Sequence, residues 1–103
     1  MYDLQLSNEA IADYESVVDW YEEQKSGLGL DFSVRLAETF ESIEAHPTAQ
    51  RYLYDNRRFA FVKKFPYIVY FLVDETNLQI IVFAILHEKR DPQIWKKRNE
   101  DLG

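Results

Sequence analysis

The stretches "YIVYFLVD" (67–74) and "LQIIVFAILH" (78–87) are apolar at almost every position. A strand with one wet face alternates apolar and polar, so strands that do not alternate belong in a sheet covered on both faces. The rest of the chain must therefore supply two covering layers. The turn-like "DETN" (74–77) separates these two runs, and Pro66 separates the first from "RRFAFVKKF" (57–65). All three are rich in β-branched and aromatic residues, and links this short make successive strands antiparallel neighbours.

The N-terminal half supplies the larger cover. "YDLQL" (2–6) alternates like a short half-buried strand. Ser7 then caps a helix with Glu9 in its first turn, and Ile11, Tyr14, Val18 and Tyr21 form an apolar stripe, with Asp13, Glu15, Asp19, Glu22 and Glu23 mostly off it. "KSGLG" (25–29) breaks that helix, and a second stripe runs through Phe32, Leu36, Phe40 and Ile43 until Pro47 stops propagation. The two make an antiparallel helical hairpin. "DPQIWKKR" (91–98) covers part of the other face through Ile94 and Trp95. The expected fold is α+β, with order β-α-α-β-β-β. It is a single domain over residues 1–103, with the hairpin on a mainly antiparallel twisted sheet and a short C-terminal segment.

Composition narrows the chemistry. Without cysteine there is neither a disulfide framework nor a thiolate metal site, and two distant histidines make no zinc spacing. Three glycines leave no phosphate-cradling loop, and no metal or cofactor is expected. No signal peptide is evident, and the longest apolar run, around Ile80–Leu86, is too short to span a bilayer. A soluble cytoplasmic chain without membrane contact is expected.

Net charge is −6, but residues 1–50 hold two cations and eleven carboxylates, whereas residues 51–103 hold ten cations and seven carboxylates. Such asymmetry points to a surface for a polyanion or an acidic partner, or to charges that only solvate their own elements. Period-2 geometry sets Arg58 and Lys64 on one strand face and Arg57 and Lys63 on the other. With His87, Lys89 and Arg90 beyond the last strand, these cations read as a basic end of the sheet, or as solvated gatekeepers of strand edges. His87 is the one plausible titrating catalyst; Arg90 and Arg58 would accompany it as phosphate stabilisers, and the bland alternative is a structural histidine. His46, beside Pro47, reads as structural.

The order strand, acidic hairpin, proline, basic strand and "FPYIVYFLVDETNLQIIVFAILHEKRDPQIW" resembles the RelE/ParE superfamily of toxins from bacterial type II toxin–antitoxin modules. The resemblance is carried by "FPYIVYF" (65–71), the closing strand and "HEKRDPQIW" (87–95), read as H-x-x-R-x-P-x-x-W. "EAIADYESVVDWYEEQ" (9–24) and "GLDFSVRLAETFESIEAHP" (29–47) fit the family's helices, so it covers nearly the whole chain. It implies a plasmid-stabilisation type of growth inhibitor held in a hetero-oligomer by a cognate antitoxin. ParE-like members poison DNA gyrase; RelE-like members cleave mRNA on the ribosome without a metal. A third possibility is an inactive relative that only binds a partner. RelE-like nucleases often carry a C-terminal tyrosine, and this chain has none after Tyr70. That departure favours the ParE-like branch. Under the resemblance His87, Arg90 and Arg58 are catalytic candidates. Arg57, Lys63, Lys64, Lys89 and Trp95 are candidates for contacting target or antitoxin. A sequence pI near 4.8 opposes docking on nucleic acid unless the basic half faces it.

Overall fold

In the computed structural model, which describes residues 1–102, the two apolar runs become the inner strands β4 (Tyr67–Asp74) and β5 (Gln79–His87). Ahead of them come β1 (Asp3–Leu6), α1 (Asn8–Gln24), α2 (Leu28–Ala45), a 3-10 turn at Pro47–Ala49, β2 (Arg51–Tyr54) and β3 (Arg57–Phe61). A last helix, α3 (Gln93–Asp101), follows. The sheet order is β1-β5-β4-β3-β2, with β1 parallel to β5 and every other pair antiparallel. The expected α+β order holds, and α3 is the C-terminal segment. β2 is an addition. "RYLY" has no apolar alternation and only Leu53 is half-buried, so an edge strand this short leaves no periodic signal.

Both faces are covered. Phe32, Leu36 and Ile43 of α2 pack with Val69, Phe71, Val73, Ile80, Val82 and Ile85 beneath the hairpin. On the opposite face Ile68, Tyr70, Phe83, Ala84 and Leu86 meet Ile94 and Trp95 of α3. Trp95 stacks on Tyr70, with centroids 5.3 Å apart and planes 20° off parallel.

The Ser7 hydroxyl accepts the Ala10 N–H at 3.1 Å, as expected of an N-cap. The α1 stripe is rotated from the expected one. Ala10 and Val17 are buried, Tyr14, Val18 and Tyr21 pack beside them, and Ile11 is exposed. Small Ala10 lets α1 lie close to β1 and β5, which turns Ile11 outward. Glu22, off the expected apolar stripe, is engaged as well. Its carboxylate accepts the N–H groups of Gly27 and Gly29, capping the start of α2. Gly27 sits at φ +90°, and a Cβ on Gly29 would lie 2.8 Å from the Val18 carbonyl, so the hairpin needs both glycines.

One irregularity decides what stands at the end of β5. Tyr70 pairs with Ala84 and Phe71 with Val82, so Phe83 is an extra residue, a β-bulge. Unbroken alternation from Ile80 and Val82 would put Ala84 and Leu86 under the hairpin. Instead Phe83 and Ala84 both turn to the α3 face, and Ile85 returns to the hairpin face. His87 comes with it, directly opposite Tyr67.

Candidate functional site

The histidine end of β5 opens into a cleft of about 370 Å³ beside α1, lined by Asp13, Ser16, Trp20, Tyr67, His87 and Arg90. A neighbouring hollow of about 430 Å³ shares Trp20, Tyr67 and His87 with it. After β5 the chain curls tightly. Glu88 N–H donates to the Pro66 carbonyl and Arg90 N–H to that of His87, both at 2.9 Å, which brings Arg90 back beside the strand end. Lys89 N–H donates to His87 Nδ1 at 3.1 Å. In the neutral ring that leaves the proton on Nε2. The His87 and Tyr67 rings meet edge-on at 5.3 Å. Burial pushes the Tyr67 phenol above its ordinary pKa and the Arg90 charge pulls it partly back, so it remains a neutral donor at physiological pH. Trp20 is 54% exposed although it is one of the largest apolar side chains in the molecule. Indole, imidazole, phenol and guanidinium thus share one groove, suited to an apolar anchor flanked by an anion.

The remaining sequence candidates do not gather there. Arg58 donates to the Gln50 carbonyl at 2.9 Å and lies 5.6 Å over the Tyr52 ring, against β2. It pairs with Phe71, whereas His87 pairs with Tyr67. Two strand spacings and four residues of rise put roughly 16 Å between their Cα atoms. Arg57 is buried, its Nε donating to Asn99 of α3 and its Nη1 to Asn56. Trp95 is occupied with Tyr70, with the Lys96 ammonium 5.7 Å from its ring centre. Only Lys89 joins His87 and Arg90. Because β3 ends at Phe61, the alternating faces expected for Lys63 and Lys64 do not exist; both lie in the turn to β4. Lys63 lines a cleft of about 410 Å³ against α2, and Lys64 has φ +69°.

A lysine in the left-handed region is strained, by about 1 kcal/mol relative to glycine. Lys64→Gly should therefore leave stability unchanged or raise it by up to about 1 kcal/mol in urea denaturation, since glycine's extra unfolded-state freedom offsets part of the gain. A loss beyond about 1 kcal/mol would mean that the lysine side chain holds the turn.

Trp20 and Tyr67 were not legible as site residues. Trp20 lies off the expected α1 stripe, among its carboxylates, and Tyr67 sits in an apolar run that reads as core; the bulge that brings His87 to them has no sequence signature of its own.

Residues 4–92 match the family described as "ParE toxin of type II toxin-antitoxin system, parDE". The chain belongs to that family. The fold of this ParE-family chain recurs in the chromosomal ParDE toxin–antitoxin system of P. aeruginosa. There the TM-score is 0.71 at 20% identity, covering 84% of this chain and 96% of the other. The intact E. coli RelBE toxin–antitoxin complex matches with TM-score 0.63 at 13% identity, covering 87% of this chain and all of the other. The isolated E. coli RelE toxin matches with TM-score 0.62 at 11% identity over the full length of both chains. No curated protein matches the chain by sequence. No helix among the described residues is long and apolar enough to cross a membrane.

Proposed function

We propose that this chain is a growth-inhibiting toxin of the cytoplasm that acts on a protein target, DNA gyrase, and is neutralised by a cognate antitoxin. The separation of Arg58 from His87 and Arg90 carries this reading. RNA cleavage by the candidate set needs an acid/base and two phosphate-stabilising cations around one phosphodiester. Here one cation is held at β2, and the His87–Arg90 end offers a groove with an exposed indole, which suits a protein partner. Family membership and the ParDE and RelBE neighbours support the antitoxin half of the reading.

Two substitutions separate binding from catalysis. The purified protein should inhibit gyrase supercoiling or trap cleaved DNA at micromolar concentration. Arg90→Glu should abolish the effect by reversing the charge of the groove, and His87→Gln, which retains a polar side chain without titrating, should largely keep it. If His87→Gln is inert and induced cells show new codon-phased 5′ ends on their messages, the chain is instead a metal-independent mRNA endonuclease. Inhibition of neither gyrase nor growth would leave an inactive relative that only binds an antitoxin.

A further inference from the structure

The bulge that orients His87 lies on an unpaired edge. β1 ends at Leu6 opposite Val82, so from Phe83 onward the outer side of β5 has no neighbouring strand. Two backbone groups there are nevertheless satisfied by side chains. Ile85 N–H donates to Asp13 Oδ2 at 2.9 Å, and the Phe83 carbonyl accepts from Arg98 Nη1 at 3.3 Å. Asp13 and Arg98 also bind each other, Nη1 to Oδ2 at 2.5 Å and Nη2 to Oδ1 at 3.1 Å. Their side chains are only 13% and 21% exposed, so solvent and salt screen this forked pair weakly. One ion pair therefore joins α1, the bulge and α3.

Past the bulge the ladder resumes with Ala84 opposite Tyr70 and Ile85 opposite Val69, and the Ile85 N–H, on the edge that β1 no longer covers, needs an acceptor. Without Asp13, β5 can recover regular alternation by slipping one residue past the bulge. The slip would turn Ile85 and His87 away from the hairpin and bring Leu86 inward. We propose that Asp13 and Arg98 are positioning residues: their ion pair takes the place of a sixth strand at the Phe83 bulge and so fixes the face on which His87 meets Tyr67 and Trp20. Its functional weight rests on the reading of the His87–Arg90 end as the contact surface.

Solution NMR on the full chain decides the structural claim without reference to toxicity. In Asp13→Ala the Ile85 amide should exchange at least about tenfold faster than the change in global stability accounts for, the effect of losing one charge-assisted hydrogen bond. The contact between the His87 and Tyr67 rings should disappear. Asp13→Asn, which keeps shape and an acceptor, should fold and move the same signals in the same direction by less. Ile43→Val, a comparable destabilisation elsewhere in the core, should move neither. Wild-type His87 signals and Ile85 protection in both Asp13 variants would overturn the proposal. Loss of the ring contact in Asp13→Ala with growth arrest intact there and in Arg90→Glu would uphold the positioning and instead refute the His87–Arg90 end as the contact surface.

Discussion

Phe32→Ala should remove roughly 3–5 kcal/mol of stability, a third or more of what a domain of this size ordinarily has. Phe32 is fully buried. Its ring lies 5.7 Å from Tyr21, 5.2 Å from Phe65 and 5.4 Å from Tyr67, the last two edge-on. Four aromatic rings drawn from α1, α2, the β3–β4 turn and β4 therefore share one centre. None of the other rings can fill the vacated volume without breaking a contact elsewhere, so the cavity cost adds to the lost transfer free energy. The thermal midpoint should fall by at least ~12 °C. Half-buried Phe40, later on the same helix, should lose far less on the same truncation. A Phe32→Ala loss below about 2 kcal/mol in chemical denaturation would mean that the cluster repacks and is not the keystone of the hairpin–sheet interface. The effect should reach the site as well. Tyr67 is a member of the cluster and also the edge-on neighbour of His87.

That dependence shows why the fold was legible in the sequence and the site was not. Phe32, Leu36 and Ile43 recur at helical spacing, and the runs at 67–74 and 78–87 demand two covered faces, so periodicity and burial agree. The site rests on departures from periodicity. One is the extra residue Phe83, invisible in a strand that is apolar throughout. Another is Asp13, which lies off the expected α1 stripe among carboxylates with the look of a solvated face, yet pairs with Arg98 across 85 residues of sequence. A third is Arg57, one of two adjacent arginines, buried under α3 while Arg58 turns to β2. The basic end expected from charge counts is thus divided by the strand's two faces. What remains of it at the open end of the sheet is His87, Lys89 and Arg90.

Trp20→Ala should leave stability within about 1 kcal/mol of wild type, because an indole more than half exposed has little burial to lose. Its effect should fall on binding. Exposed tryptophans beside a concave, partly apolar surface are the residues whose truncation costs interfaces most, typically 2 kcal/mol or more, about a 30-fold rise in Kd. Trp20 lines both hollows at the histidine end, and its edge-on contact with Tyr21 at 5.1 Å holds the ring over the cluster that Phe32 centres. Titration of the purified chain against its cognate antitoxin should therefore show that loss in Trp20→Ala, together with a faster dissociation rate. Should the antitoxin bind Trp20→Ala normally while gyrase inhibition disappears, the groove belongs to the target and the antitoxin neutralises from another surface. If both survive, the indole is an incidental exposed side chain, and the contact surface has to be sought among the cations of β2 and α3.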